Sequence, residues 1–268
     1  MANYQKVLEV SACEDASIYH EKSRTGECLG SHSLKDFVEN PKLYKYNLDN
    51  PEELHSKALT IGSATHSYIL EPDLFVNEFE IGGVMNEKTG KYYGTDTKKQ
   101  TEYGIEVGRT IIAEEDGEII RKMSKALSEN EDASALIAQG AAEKVIRVEI
   151  EGVLCQIRMD WFNPELGLSD LKTCQKLRFF QKDVINYGYA NQAAFYNLII
   201  EEATGEDVPC YLIAVEKDKP FECGVFKVDA DVIYQKKRMI RNRIKQFKIA
   251  RDSGIYQSKF KNITIITE

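Results

Sequence analysis

The pattern of apolar and polar positions changes character near residue 143 of the 268-residue chain. The first half contains segments typical of helices, whereas the second half opens with the alternation that is typical of strands. Residues 86–104 are polar and contain glycine and tyrosine, which predicts a loop or a short helix. The helices predicted in this half are one within "GSHSLKDFVENPKLYKYNL", capped by Ser33 and ending before Pro41, one within "SKALTIGSATHSYILEPDLF" that ends near Glu71-Pro72, and one from about Ala113 to Glu129 with acidic residues in its first turn.

The second half opens with "EKVIRVEIEGVLCQIRMDWF", whose alternation predicts two strands joined by a turn at Glu151-Gly152. A long helix is predicted in "INYGYANQAAFYNLIIEEATG", with Gly205 as its end. A final amphipathic helix is predicted over residues 230–252, with an apolar face that contains Ile233, Ile240, Ile244 and Phe247. The remaining strands are predicted in "LGLSDLKTC", "VPCYLIAVEK" and "ECGVFKV".

This order of elements predicts a single domain over residues 1–268. Helices come first, a β-meander follows, and a helix, two strands and a last helix complete the chain. Such an order fits an α/β or α+β fold in which helices flank a mixed central β-sheet.

The composition supports a folded core that needs no covalent cross-links. Apolar residues make up 43% of the chain, an ordinary share for a globular protein. The six cysteines are scattered, and no pair has the CxxC spacing of a zinc site or a redox motif. The sequence shows neither a signal peptide nor an apolar run of roughly 20 residues that would span a bilayer. We therefore expect reduced cysteines and a cytoplasmic protein with no membrane partner.

The charge is distributed unevenly along the chain. The net charge of -8 argues against a protein that nucleic acid coats on every side. Acidic residues cluster in "AEEDGEII" and "IIEEATGED", whereas "KKRMIRNRIKQFKIAR" is strongly basic. A local basic channel is therefore compatible with the composition.

Charged residues interrupt the apolar pattern in "QIRMDWFNPELGLSDLKTCQK". Asp160 and Asp170 lie symmetrically about Glu165, so the predicted hairpin makes them near cross-strand neighbours. Two carboxylates this close repel each other unless a cation lies between them, and hard oxygen ligands suit Mg²⁺ or Mn²⁺. Lys172 shares a strand face with Asp170 and can place an ammonium beside an attacking water, which fits hydrolysis of a phosphodiester. The alternative is an exposed hairpin with a surface ion pair, and the spacing alone leaves both interpretations open.

Further positions are candidates for the same site. His66 lies in an otherwise small and apolar helix, where an isolated histidine is more often a core residue than a ligand. Gln192 and Tyr196 are four residues apart on one predicted helix and can reach the same point, although buried polar pairs have the same spacing. Glu143 opens the first strand, where a surface carboxylate is the ordinary expectation.

In combination, these segments resemble one family of nucleases. The matching residues are Gly62-x3-His66, Leu70-Glu71-Pro72, Glu143, Arg158-x-Asp160, Asp170-Leu171-Lys172-Thr173 and Gln192-x2-Phe195-Tyr196. The combination resembles the nuclease domain of the RecE (exonuclease VIII) family, a phage-recombination branch of the PD-(D/E)XK nucleases that is related to lambda exonuclease and the RecB nuclease domain. The resemblance covers most of the chain, and "GSATHSYILEPDLF", "SDLKT" and "NQAAFY" in this order are far more specific than any one of them.

The resemblance implies a PD-(D/E)XK core with an active-site cleft. It also implies an exonuclease that degrades linear double-stranded DNA 5′ to 3′ and leaves a 3′ single-stranded tail. Lys172 would orient or activate the attacking water, and Glu143 would support the metal site or bind a second ion. Gln192 and Tyr196 would hold the substrate phosphate or order the site. The implied metal ligands are His66, Asp160, Asp170 and the Leu171 carbonyl.

The match has departures, and it also implies partners. Met159 stands where the family usually has proline before the first aspartate. The cysteine spacing does not support the iron–sulfur cluster that some relatives carry, so Mg²⁺ or Mn²⁺ is the expected cofactor. The family implies double-stranded DNA ends as substrate, a closed homo-oligomeric ring and a single-strand annealing recombinase as partner. It also implies a phage or prophage origin in a bacterial host cell.

The polar segment 86–104 is a candidate DNA-contact surface. Its lysines interleave with tyrosines, which favours phosphate contacts and stacking, although a solvated loop has the same composition. The predicted DNA contacts are Lys88, Lys91, Tyr92, Tyr93, Lys98 and Lys99, together with Thr173 of the strand motif.

Other functions are compatible with parts of the sequence. One is a structure-specific or single-strand endonuclease of the same fold. Another is a catalytically silent DNA-binding module, against which the intact Asp160, Asp170 and Lys172 argue. A third is a metal-dependent hydrolase of small phosphate esters, against which the basic residues of 86–104 and of the last helix argue.

Overall fold

The computed structural model describes residues 4–51 and 56–258 of the chain. The helices are α1 (Gln5–Val10), α2 (Ala16–Arg24), α3 (Ser31–Glu39), α4 (Pro41–Asp49), α5 (Lys57–Leu70), α6 (Pro72–Glu78), α7 (Lys98–Val107), α8 (Glu114–Glu129), α9 (Glu131–Ile137), α10 (Phe180–Tyr187), α11 (Tyr189–Thr204) and α12 (Ala230–Ser253). The strands are β1 (Phe79–Ile81), β2 (Met85–Asn86), β3 (Lys91–Tyr92), β4 (Thr110–Ile112), β5 (Ala141–Ile150), β6 (Val153–Asn163), β7 (Gly167–Cys174), β8 (Cys210–Glu216) and β9 (Cys223–Lys227).

A mixed sheet forms the centre of the fold, with the strand order β5-β6-β7-β8-β9. β5, β6 and β7 are successive antiparallel neighbours, β8 runs parallel to β7, and β9 is antiparallel to β8. The parallel step from β7 to β8 needs a crossover connection, which α10 and α11 supply. The mixed central sheet predicted from the sequence is therefore confirmed.

Helices cover both faces of this sheet. On one face, α1, α3, α4, α11 and α12 pack with β5 and β6 into what we call the first core. On the other face, α5, α6, α8 and α9 pack with β7 and β8 into the second core. Leu168 belongs to the first core and Leu171 to the second, because side chains alternate along β7. The same alternation turns Asp170 and Lys172 toward the first face.

α12 spans 24 residues and is amphipathic, as the sequence predicts. Asp229 caps its N-terminus by accepting from the backbone N–H groups of Asp231 and Val232. Among the described residues, no helix is long and apolar enough to cross a membrane. The α12 residues that pack into the first core include Ile233, Ile240, Ile244 and Phe247.

One helix start differs from the sequence prediction. α3 begins at Ser31 with Gly30 as its N-cap, so the predicted cap at Ser33 is wrong. The helix ends before Pro41 as expected, but Pro41 then opens α4, which Asn40 caps. Proline suits this position because the first N–H groups of a helix have no partner inside the helix.

The helix predicted from Ile185 onward is interrupted. α10 ends at Tyr187 and α11 begins at Tyr189, with Gly188 between them at φ 74°. This left-handed conformation is open to glycine without the steric cost that a side chain adds. α11 then ends at Thr204 with Gly205 as its C-cap, so Gly205 ends the helix as the sequence predicts. The interruption brings the rings of Tyr187 and Tyr189 together, with their centroids 5.6 Å apart.

Candidate active site

The central sheet splits at Asp160 and Asp170, where β6 and β7 stop pairing. The ladder between β6 and β7 pairs Trp161 with Ser169 and ends there. One residue further, the backbone N–H of Leu171 donates to Asp160 Oδ2 at 2.9 Å instead of to a strand carbonyl. The Asp160 carboxylate therefore occupies the gap between the two strands, beside Asp170.

Asp170 is a buried carboxylate that faces the ammonium of Lys172. Only 5% of the residue is exposed, and neither carboxylate oxygen accepts a well-formed hydrogen bond from the described residues. Lys172 Nζ lies 2.7 Å from Asp170 Oδ2. Burial raises the pKa of Asp170. The ammonium of Lys172 lowers this pKa, and the carboxylate of Asp160 raises it further. The pair is thus not the surface ion pair of the alternative interpretation, and the site is short of positive charge.

Lys172 is held as a charged ammonium. Burial alone lowers the pKa of this lysine, but the carboxylates of Asp170 and Asp160 outweigh that effect and raise it. Its Nζ also lies 4.9 Å from the ring centroid of Tyr189. A lysine in this state supplies positive charge rather than a proton acceptor.

Glu143 adopts a strained backbone conformation directly opposite Asp160. Its φ is 55°, a left-handed value that L residues rarely adopt in a strand. The β5–β6 register pairs the residues on both sides of this position but skips Glu143 itself. The strand also changes faces here, since Ala142 packs against the second core and Ile146 in the first. Strain of this kind is typical of functional sites.

The Glu143 side chain points into the same carboxylate cluster. Its Oε2 lies 2.7 Å from Arg158 Nε. Burial raises the pKa of Glu143, and the charge of Asp160 raises it further, against the opposing effect of Arg158. A cation bound nearby would relieve both effects.

α5 contributes His66 from the second face of the sheet. Its Nδ1 lies 3.5 Å from Asp160 Oδ2, and its ring is within hydrogen-bonding reach of the Leu171 backbone. Burial lowers the pKa of His66 despite the neighbouring Asp160, which favours the neutral imidazole that binds metals.

These residues fit a divalent cation. Among the described residues, His66, Glu143 and Asp160 each offer a donor atom within 4.8 Å of the other two. The unbonded oxygens of Asp170 lie next to this group, in contact with Asp160. A set of carboxylates with one imidazole suits Mg²⁺ or Mn²⁺.

Gln192 and Tyr196 stand beside the carboxylates on α11. Gln192 Nε2 donates to the Tyr196 hydroxyl at 3.4 Å. Burial raises the pKa of Tyr196, and the nearby charges of Tyr19, Asp160 and Asp170 add to this effect. The structure thus brings this predicted pair close to the strand motif. Thr173 follows Lys172 on β7 and, by strand alternation, has the opposite orientation.

The predicted DNA contacts of 86–104 lie on a small unit formed by β2, β3 and α7. Its lysines are exposed, as the sequence suggests. Tyr92 packs against Gly82, and Lys99 lies over the ring of Tyr93, 4.7 Å from its centroid. The two tyrosines are therefore already engaged in contacts within this unit.

Sequence reasoning did not single out a cavity of about 460 Å³ that opens at Lys172 and Gln192. Its walls come from α3, the α10–α11 turn and α12, which are far apart in sequence. The Tyr-Gly-Tyr at 187–189 was the available signal, because glycine between two aromatic residues indicates a turn. The other lining residues of interest are His32, Lys35 and Arg243.

A solved structure shares this architecture. It is a crystal structure of a protein from Eubacterium rectale described as a "Putative exonuclease", with a TM-score of 0.68, 16% sequence identity and 96% of each chain covered. At this identity the likeness shows the fold. A search of curated proteins found no match.

The chain also matches a protein family over a span that includes the residues of the site. The family is described as "PDDEXK-like domain of unknown function (DUF3799)", and its pattern matches residues 31–254. This span contains the whole central sheet, the α5 histidine and the carboxylates of the sheet split. The chain therefore belongs to the PDDEXK-like family DUF3799 and has the fold of the PD-(D/E)XK nucleases.

Proposed function

We propose that this protein is a metal-dependent exodeoxyribonuclease of linear double-stranded DNA. It would digest 5′ to 3′ and leave 3′ single-stranded tails for recombination by strand annealing. The observation that carries the proposal is the cluster of Asp160, Lys172 and the buried Asp170 at the sheet split of a PDDEXK-like fold. The preference for duplex ends rests on the resemblance to the RecE family.

In this proposal, one group of residues binds the cation. His66, Glu143 and Asp160 would hold the cation together with Asp170 and the Leu171 carbonyl. A divalent cation bound there supplies Lewis acidity, which polarises a phosphoryl oxygen and lowers the pKa of the attacking water. Burial of Asp170 lowers the local dielectric constant and so strengthens the electrostatic contacts around it.

Lys172 would act on the phosphate rather than on the cation. Its ammonium stays charged, so it can stabilise the negative charge that develops on the phosphoryl oxygens. Gln192 and the Tyr196 hydroxyl would donate to a phosphate oxygen or hold the carboxylates in place. Thr173 and the exposed lysines of 86–104 would contact the DNA further from the cut.

The proposal also includes partners. The resemblance favours a homo-oligomeric ring around DNA, a single-strand annealing recombinase that receives the tails, and action in the cytoplasm of a bacterial host that carries a phage or prophage. Sedimentation velocity tests the ring, because a closed assembly gives one species of fixed mass.

The test is digestion of matched linear and covalently closed circular duplex in Mg²⁺. We expect the linear form to be degraded and the circle to persist, with mononucleotides as products. Equal loss of the circle would assign an endonuclease, and DNA binding without cutting would assign a silent binding module. Hydrolysis of nucleotide monoesters alone would assign a small-substrate hydrolase.

A further inference from the structure

The cavity beside Lys172 lies outside the metal-ligand cluster, and apart from Lys172 and Gln192 its lining residues have no role in the chemistry described above. It measures about 460 Å³ and is bounded by α3, the α10–α11 turn and α12. Small-molecule sites in proteins span about 300–1,000 Å³, so its size suits a compact ligand. Because Lys172 and Gln192 form its inner end, a ligand in the cavity adjoins the Asp170 site.

The charges around this cavity favour an anion. Lys35, Lys172 and Arg243 line it, whereas the one carboxylate in the lining is Glu39, which lies 3.8 Å from the ammonium of Lys35. Lys236 stands next to it and donates to Asn191 Oδ1 at 2.8 Å. Burial lowers the pKa of Lys236, and the positive charge of the neighbouring Arg243 adds to this effect. In a chain with a net charge of -8, this is a local reversal of sign.

The aromatic residues of the cavity favour a planar group. Tyr187 is 57% exposed, and its ring stacks on Tyr189 with an interplanar angle of 29°. The Tyr189 ring in turn faces Lys172 Nζ at 4.9 Å. The left-handed turn at Gly188 holds both tyrosines at the rim. An exposed ring supported from behind by a second ring is a platform on which a nucleobase can stack.

We propose that this cavity is a nucleotide subsite that takes one unpaired nucleotide of the strand being cut. Its base stacks on Tyr187, and its phosphate lies beside Lys35 and Arg243. The inference rests on the proposed function for the identity of the strand, but the chemistry recognised is that of any nucleoside monophosphate. A volume of about 460 Å³ suits a single nucleotide, so the nucleotide enters without its base-pairing partner.

The test uses a fluorescent nucleotide and the full-length protein in EDTA, so that no cleavage occurs. The probe is 2-aminopurine deoxyriboside 5′-monophosphate, whose fluorescence is quenched when its base stacks. We expect saturable quenching and weaker binding of the nucleoside that lacks phosphate. Tyr187→Ala should weaken binding about tenfold, in the range measured for base stacking on aromatic residues, and Tyr187→Phe should restore it.

The controls separate the subsite from general effects. Tyr46→Ala removes a tyrosine of similar exposure, 62%, on α4 and should leave binding unchanged. Arg243→Ala should abolish the preference for the phosphorylated probe, whereas Arg238→Ala removes the same charge from α12 and should not. On linear duplex, Tyr187→Ala should raise KM with little change in kcat, the sign of lost binding rather than lost chemistry.

The outcomes for the subsite and for the proposed function are distinguishable. Binding that Tyr187→Ala and Arg243→Ala do not affect would overturn the subsite, even if the protein digests duplex ends. Binding that depends on Tyr187, in a protein that never cuts DNA, would keep the subsite and overturn the nuclease proposal.

Discussion

At the scale of single residues, Asp170 and Lys172 form a pair that folding alone does not explain. Asp170 is 5% exposed, and the ammonium of Lys172 lies 2.7 Å from its Oδ2. Burying charge costs free energy that the mutual attraction of a pair often fails to offset. Such a pair is expected where the charges act on a ligand.

Two substitutions separate the roles of this pair. Asp170→Ala removes an assigned metal ligand, so cleavage and tight metal binding should both disappear. Lys172→Ala leaves the ligands in place and removes a repulsive positive charge, so metal affinity should be kept or slightly raised. Cleavage should still fall by roughly 10²–10⁴-fold, as is typical when a positioned charge or proton-handling group is lost. Calorimetric metal titration beside a cleavage assay measures both quantities.

The unfolding temperature of Lys172→Ala provides a second test of the role of this lysine. Without metal, Lys172→Ala leaves Asp170 buried without its nearest cation, so the unfolding temperature should fall and then recover when Mg²⁺ is added. Lys182→Ala removes an exposed lysine on α10 and serves as the control for lost charge. If Lys172→Ala loses metal binding as completely as Asp170→Ala, or cuts at the normal rate, the assigned roles are wrong.

Glu143 allows a test of stored backbone strain. Both Glu143→Gly and Glu143→Ala remove the carboxylate, but only glycine accepts φ 55° without steric cost. The glycine variant should therefore be more stable than the alanine variant by about 1 kcal/mol, measured by urea unfolding in EDTA. Both variants should lose activity because we assign this carboxylate to the metal site.

The control for this comparison is Glu149 on the same strand, which is exposed and has no positive φ. At an ordinary strand position glycine is less stable than alanine by about 0.5–1 kcal/mol. The order of the two variants should thus reverse between the two sites. The same order at both would show that the Glu143 backbone is relaxed.

At the scale of elements, the unit of β2, β3 and α7 stands apart from the central sheet. It carries Lys88, Lys91, Lys98 and Lys99, which we predict contact phosphates. Because each phosphate contact releases counterions, replacing one such lysine by glutamine should lower the slope of log Kd against log salt by about one unit. Fluorescence anisotropy of a labelled duplex at several salt concentrations measures this slope.

Lys125 provides a matched control for this prediction. It pairs with Glu129 four residues later on α8, just as Lys98 pairs with Glu102 on α7. Lys125→Gln should leave the salt slope unchanged. A slope that is equally insensitive to Lys88, Lys91, Lys98 and Lys99 would remove this unit from the DNA path.

At the scale of the whole molecule, the elements with strong periodicity were predictable from the sequence. The strands around Asp160 and Asp170 and the helices α5, α8 and α12 follow the patterns of their side chains. The symmetry of the two aspartates about Glu165 agrees with the register that pairs Trp161 with Ser169. Local alternation was sufficient where one side of a strand is buried and the other is more exposed, as on β5, where Ile146 and Ile150 are buried and Glu149 is exposed.

Other features depend on contacts between distant segments and were not predictable. The sequence around Gly188 predicted one continuous helix, because a single glycine is tolerated within a helical pattern. The positive φ of Glu143 has no signature in composition, and its place beside His66 and Asp160 arises only when α5 packs onto the sheet. The cavity between α3, α10 and α12 joins residues about 200 positions apart.

The most direct test of the central claim is digestion of an end-labelled linear duplex by the purified protein. We expect degradation in Mg²⁺ or Mn²⁺ and none in EDTA. Ca²⁺ should bind without supporting cleavage, since its looser coordination activates water less well. Asp170→Asn, which keeps the shape of the side chain and removes its charge, should be inactive in every ion. Full activity in EDTA, or normal activity of Asp170→Asn in Mg²⁺, would contradict the assignment of a metal-dependent nuclease site to the split between β6 and β7.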